Sequence, residues 1–305
     1  MSGGESRDGT RWYNVDTKLP EIPEKLKRDD DGTPLVRVFD VEKKAISEMD
    51  VESYVMGVVA GEMKNDWPIE ALKAQAILAR TFVLKFCSDK DSKYEGADIS
   101  TDVTEAQAYA ADDINARVRQ AINGTRGLVM SYEGAYPYAW FHAHSGGMTE
   151  LPSVSLDFRE GDPGYLKPVE SRESDDAPES AREWTAEFTM GELRKACADA
   201  GLKVENVESI EIGEKGESGR AKMLLVNGKP VSAASLRIRI GANKMRSTLI
   251  DSIELDGGSV TFKGRGFGHG VGMSQWGAYA MAKDGVGAEE IVRHYFRNVD
   301  IVELW

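Results

Sequence analysis

Cysteine is nearly missing from this chain: Cys87 and Cys197 are the only two among 305 residues. They can form one disulfide or stay two unrelated thiols, and neither sits in a spacing that builds a metal site. Long apolar runs are missing too, since no stretch approaches the ~18 residues that a membrane-spanning helix needs. The opening residues, MSGGESRDGT, have neither the basic start nor the apolar core of a secretory signal. Basic charge is short, with 38 Lys and Arg against 51 Asp and Glu and a formal net charge of −13. That balance argues against a nucleic-acid partner, because phosphate binding needs a basic surface. No internal repeat is evident.

What is present is a 41% apolar content, which fits a soluble globular protein. The length suffices for one large or two modest cores. The most informative stretch is 51–86. It opens with an apolar run, 54–60, followed by Gly61-Glu62-Met63, a carboxylate between a glycine and a thioether. A turn at 64–67 leads to Pro68, which opens a helix where its missing N–H costs nothing. In that helix Ile69, Leu72, Ala76, Ala79, Val83 and Phe86 recur at helical spacing and predict one apolar face. Lys73 and Arg80, seven apart, share a second face. Glu62 in apolar company reads as an acid of raised pKa, because desolvation disfavours its charged form. Such a group can give a proton and take one back near neutral pH. A solvated turn carboxylate beside a wet cationic face fits the same composition.

The remaining chain predicts a loosely tied N-terminal arm over 1–34, rich in Gly, Pro and acid. A strand follows at 35–39. A helix over 112–123 ends at Gly124. The runs 127–132 and 138–144 suggest a hairpin turned at Glu133-Gly134. His142 and His144 share one face of the second run. They could seat a metal, but a metal needs three or four ligands. Residues 155–183 read as a long acidic loop or lid containing Tyr165 and Lys167. An edge strand at 183–190 and a short helix at 191–200 follow. A small meander takes in 207–212, 221–226, 229–232 and 253–255, turned at Asn227-Gly228. Glycines at 264, 266, 268, 270 and 272 alternate, which suits extended backbone pressed against something on one side. Helices at 274–283 and 289–296 close the chain.

Five ordered motifs carry a resemblance. They are the Glu62 segment, Ser145-Gly146-Gly147-Met148-Thr149, Tyr165-Leu166-Lys167, Gly219-Arg220-Ala221-Lys222 and the string GRGFGHGVGMSQWGAYAMA at 264–282. Together they resemble the stage II sporulation protein D family, which includes amidase enhancers of bacterial cell walls. The resemblance runs from about residue 35 to the C-terminus. It implies a peptidoglycan lytic transglycosylase that cuts between N-acetylmuramic acid and N-acetylglucosamine in glycan stripped of its stem peptides, leaving 1,6-anhydro ends. It implies Glu62 as the single catalytic acid, with Lys73, Arg80, Tyr165 and Lys167 as substrate contacts. His142, Ser145, Gly146, His269 and Gln275 complete the expected substrate-binding set. Some family members hold zinc with cysteines and histidines after the hairpin. Residues 145–160 here have neither, so no metal and no cofactor is expected.

The expected architecture is α+β, with mixed sheets and helices in two lobes and a glycan-binding groove between them. After the arm at 1–34, one family domain spans 35–305. Residues 150–260 form its second lobe, and 261–305 return to the catalytic lobe. The expected partners are peptidoglycan glycan strands and a cell-wall amidase. The expected location is extracytoplasmic, with a targeting or anchor segment removed. The rival reading is a non-catalytic glycan-binding activator of that amidase, and a third is a cytosolic carbohydrate-binding scaffold.

Overall fold

The computed structural model describes residues 17–305. The first 16 positions of the expected arm lie outside the described residues. The chain divides into two compact units. One holds the described residues up to Ala139 with Ala282–Arg293 and Asn298–Trp305, and the other holds Trp140–Met281 and His294–Arg297. Both helices and several small sheets are present, so the class is α+β. The division departs from the sequence expectation. The second unit begins at Trp140 and keeps the glycine string, so the return to the first unit comes at Ala282.

In the first unit, residues 17–34 are tied down and are no loose arm. Arg28 bridges Pro34, Leu26 is buried, and the Ser131 hydroxyl donates to the Lys18 carbonyl at 2.7 Å. Strands β1 (Leu35–Asp40) and β2 (Ala45–Asp50) pair antiparallel. Helix α1 (Val51–Glu62) starts where Asp50 accepts from the Ser53 amide, an N-cap that satisfies an otherwise unpaired donor. Helix α2 (Ile69–Asp89) starts after Pro68, as predicted, and buries Leu72, Ala76, Ala79, Val83 and Phe86. It buries Ala71, Ala74, Ile77, Leu78 and Leu84 as well. A helix apolar nearly all round is a central one. Strand β3 (Ile99–Ser100) joins β1 in parallel.

Helix α3 (Ala116–Asn123) begins later than predicted. The Asn115 side chain accepts from the amides of Arg117 and Val118 and so fixes the start. Strand β4 (Leu128–Ser131) then runs into the turn the sequence announced. Tyr132 and Ala135 exchange backbone bonds of 2.9 and 3.0 Å across Glu133 and Gly134, whose φ values are 55° and 89°. The predicted hairpin nevertheless does not form, because the two arms take other partners.

The second unit contains, in order, β5 (Phe141–His142), the single-turn helices α4 (Pro152–Ser155) and α5 (Glu179–Arg182), and β6 (Glu183–Thr189). Next come α6 (Met190–Asp199), β7 (Ile210–Ile212), β8 (Met223–Val226), β9 (Lys229–Ser232) and α7 (Ala233–Gly241). Then come β10 (Ile250–Asp256), β11 (Ser259–Arg265), β12 (Met273–Ser274) and α8 (Gln275–Lys283). The meander β7-β8-β9 is as predicted, with Asn227-Gly228 as its turn. Residues 253–255 belong instead to β10, in the sheet β10-β11-β6. β6 is the edge strand expected of it. Phe188, Phe262, Val260, Leu224 and Leu236 are at most 1% exposed and form this unit's own core. Each such side chain contributes about 1.5–3 kcal/mol.

Helix α9 (Ala288–Tyr295) and β13 (Asp300–Glu303) close the chain. β13 pairs antiparallel with β4, and β5 pairs in parallel with β12. These two pairings are what dissolve the predicted hairpin. Cys87 and Cys197 are both buried and free, one in each unit. No helix among the described residues is long and apolar enough to cross a membrane.

Candidate active site

Glu62 is the last residue of α1, and Met63 leaves the helix in an extended conformation with φ −122° and ψ 155°. The carboxyl therefore sits at the negative end of the helix dipole, which gives no help to its charged form. Met63, next to it in sequence, and Ala60, two residues before it, are each 6% exposed. Burial raises the Glu62 pKa, and the Ala108 amide, donating to Oε1 at 2.6 Å, pulls the other way. Residues 107–110 form a strap along α1. The Ala110 amide donates to the Gly57 carbonyl at 2.9 Å, and the Tyr109 ring stacks on Tyr54 at 5.5 Å. This is a partly buried acid of raised pKa whose Oε1 is held by a backbone donor.

Arg80 requires a correction. It is fully buried, and its Nε and Nη2 donate to the two oxygens of Glu52 at 3.0 and 2.7 Å. Its Nη1 donates to the Leu128 carbonyl at 2.8 Å. Glu52 also accepts from the Gly127 amide at 3.0 Å and the Trp305 indole at 3.1 Å. Arg80 thus braces α1, α2 and β4 and cannot touch a polymer. Lys73, two turns earlier, is partly exposed and pairs with Glu70 at 2.8 Å. The other Glu70 oxygen accepts from the Ala288 amide at 2.9 Å. Glu52 and Glu70 are therefore both engaged in structural bonds.

The second unit gathers a different cluster. The glycine string is not extended throughout, as the alternation suggested. β11 ends at Arg265, and Gly266, Gly268, Gly270 and Gly272 then all take positive φ, between 70° and 102°. The expected close approach does hold. A Cβ at Gly268 would lie 2.7 Å from the His142 Cβ, and one at Gly270 would enter the Arg220 guanidinium. His144 and Phe267 exchange backbone bonds of 3.0 and 2.8 Å.

Around this string His142 Nδ1 donates to the Val271 carbonyl at 3.1 Å, and its ring lies 5.7 Å from that of His269. His144 Nδ1 accepts from the Gly146 amide, and His269 Nδ1 from the Val271 amide, each at 3.0 Å. Glu173 accepts from the Ser145 amide at 2.9 Å, the Ser145 hydroxyl, and the Ser274 hydroxyl at 2.9 Å. Arg220, fully buried, donates to the Ser145 carbonyl at 2.9 Å. Burial lowers the pKa of His142 and of His144. Burial together with the charges of Arg237 and Arg220 pushes His269 down to about 3.

The sequence-predicted residues thus fall into two sets. Glu62, Lys73 and Arg80 belong to the first unit, and the other seven belong to the second. Ser145, fully buried and bonded to Glu173, is corrected from a substrate contact to an internal brace, as is His142 at 4% exposed. Tyr165 is 6% exposed and its carbonyl accepts from the Arg297 amide, while Gln275, 8% exposed, begins α8. Lys167 is exposed, and Gly146 and His269 are partly so.

Sequence reasoning missed Glu173 and used Arg220 only as part of a motif. Glu173 lies in an acidic loop where nothing local marks it, whereas Arg220 sits in one of the resembling motifs. The residues present do not fit the zinc found in some family members. The segment lacks cysteine, and among the described residues no three His, Cys, Asp or Glu side chains are arranged to hold a metal ion.

Comparison with known proteins agrees with these motifs. A family model described as stage II sporulation protein matches residues 40–132, and a domain of unknown function matches 167–272. An uncharacterised protein of Brachyspira hyodysenteriae is 32% identical over 85% of this chain and 68% of its own length. Stage II sporulation protein D of Bacillus amyloliquefaciens is 30% identical over 88% of this chain and 78% of its own length. An amidase enhancer of Bacillus subtilis is 24% identical over 79% of this chain and 39% of its own length.

Proposed function

This chain belongs to the stage II sporulation protein D family, and on that premise we propose that it is a peptidoglycan lytic transglycosylase. It cleaves the bond between N-acetylmuramic acid and N-acetylglucosamine in peptide-stripped glycan, outside the cytoplasm, and leaves a 1,6-anhydro end. The observation that carries this reading is Glu62, a partly buried acid whose pKa is raised by desolvation and whose Oε1 is fixed by the Ala108 amide.

Protonated Glu62 gives its proton to the glycosidic oxygen as the bond from C1 to that oxygen breaks. The resulting carboxylate takes the proton of the sugar's own 6-hydroxyl, whose oxygen bonds to C1. The proton count closes on one carboxyl, and no water is consumed. A hydrolase would need a second carboxylate about 5 Å or about 6.5–9.5 Å away. Glu52 and Glu70 are held by Arg80 and Lys73. Lys73 in the first unit is the proposed cation for a lactyl carboxylate or acetamido carbonyl. Lys167, Tyr165, His269, Gly146 and Gln275 are the proposed glycan contacts of the second unit.

The deciding experiment is digestion of peptide-free glycan by the wild type and by Glu62→Gln, read by mass spectrometry. The expected products are anhydro ends lighter by one water in the wild type, and none in the variant. Cleavage by Glu62→Gln would remove Glu62 as the acid. Products with free reducing ends would make the enzyme a hydrolase. The likeness to an amidase enhancer favours a second reading, in which the protein binds glycan and activates a cell-wall amidase. No product from the protein alone, with faster action of an added amidase, would favour it.

A further inference from the structure

Two glycines inside a helix are unusual, since glycine is the least favourable residue there apart from proline. α1 has them at 57 and 61, one turn apart and on one face. Both are occupied by the same neighbour. A Cβ at Gly61 would lie 2.8 Å from the Ala108 carbonyl carbon and 2.8 Å from the Tyr109 nitrogen. A Cβ at Gly57 would enter the Tyr109 ring. The strap is fastened at both ends of this bare face, by Ala110 donating to the Gly57 carbonyl at 2.9 Å and by Ala108 donating to Glu62 at 2.6 Å. Backbone rather than a flexible side chain stands in the way at Gly61, so a methyl there cannot be absorbed by a rotamer change.

We infer that Gly57 and Gly61 are positioning residues for the acid: their bare face admits the 107–110 strap so closely that the Ala108 amide is held on the Glu62 carboxyl. This inference rests on Glu62 being the catalytic acid, as proposed above. The strap fixes where the proton donor points. It also limits how far desolvation raises the donor's proton affinity, since an N–H bonded to a carboxylate favours the charged form. Without that bond the acid would hold its proton more tightly and give it up less readily in the first half of the reaction.

The test is Gly61→Ala in the full chain, which raises helix propensity while closing the face. Two readouts are compared: the Glu62 carboxyl titration by carbon NMR without substrate, and the pH profile of kcat/KM on peptide-free glycan. Loss of one hydrogen bond to the carboxylate should move the Glu62 titration upward by about one pH unit. The alkaline limb of the profile should move up with it, while kcat on the acidic plateau falls by up to about tenfold, the most that a one-unit weaker acid loses in proton transfer. Lactic acid in place of Ala108, which turns the amide into an ester and deletes only the N–H, should move the titration in the same direction. That second variant keeps the test open if Gly61→Ala does not fold. An unmoved titration in either folded variant overturns the inference. Because the titration needs no turnover, it stands apart from the Glu62→Gln digestion that tests the reading beneath it.

Discussion

Arg80 and Glu52 show what a buried ion pair demands of its partners. Removing one member leaves a desolvated charge, which costs about 3–5 kcal/mol, whereas replacing both with apolar groups is often nearly neutral. Arg80→Met should therefore lower the urea midpoint severely, and Arg80→Met with Glu52→Leu should recover most of the loss. Glycan cleavage per folded molecule should survive in the double variant, because neither side chain reaches substrate.

Glu62 behaves in the opposite sense. Its folded pKa is raised, so between its unfolded and folded values the folded state holds more protons, and stability declines as pH rises through that window. Glu62→Gln should therefore melt higher than the wild type at pH 8 by calorimetry, with the difference vanishing near pH 4. The burial of Glu62, which raises its pKa, was legible because apolar residues lie near it in sequence. That of Arg80 was not. Its partner is 28 residues away, and a cation seven residues after another reads as a wet stripe until the fold covers it.

At the scale of elements, the glycine string separates two costs that a substitution can incur. Gly201, just after α6, has a φ of 95° and open space around it, whereas Gly270 has a φ of 83° with the Arg220 guanidinium where a Cβ would be. Forcing an L-residue into this left-handed region costs about 1–2 kcal/mol. Gly201→Ala should lose about that much in denaturant unfolding. Gly270→Ala should lose clearly more, because it also drives Arg220 off the Ser145 carbonyl. Equal losses would mean that Arg220 yields freely. Sequence showed that the string is pressed against something, since nothing else explains glycine at every second position. It could not show that the backbone winds left-handed there, because extended and alternating left-handed chains share the same period. The false hairpin has a related cause. Glu133-Gly134 encodes its turn locally, but the partners β12 and β13 come from more than 130 residues further along the chain.

At the scale of the whole chain, all four histidines, His142, His144, His269 and His294, belong to the second unit. The turn-rich 140–149 segment gave no sign of a boundary at Trp140, because the signal is a change of partners and not of composition. The placement has a consequence for acid. His142, His144 and His269 are held below their ordinary pKa first by burial, to which His269 and Arg220 add at His142, Arg182 and Arg220 at His144, and Arg237 and Arg220 at His269. Glu173 opposes this at His144. In the unfolded chain the same rings take protons near pH 6.5. Below that pH the unfolded state therefore binds more protons than the folded one, and stability falls as pH falls, by at most about 1.4 kcal/mol per pH unit for each ring. The first unit carries no described histidine and lacks this term. Native-state hydrogen exchange from pH 7 to pH 5 should show the opening free energies of β5 and residues 266–272 dropping while those of α2 change little. His269→Asn should flatten the slope by up to one ring's share. An equal drop in α2 would mean that carboxylates common to both units, and not these imidazoles, set the response to acid.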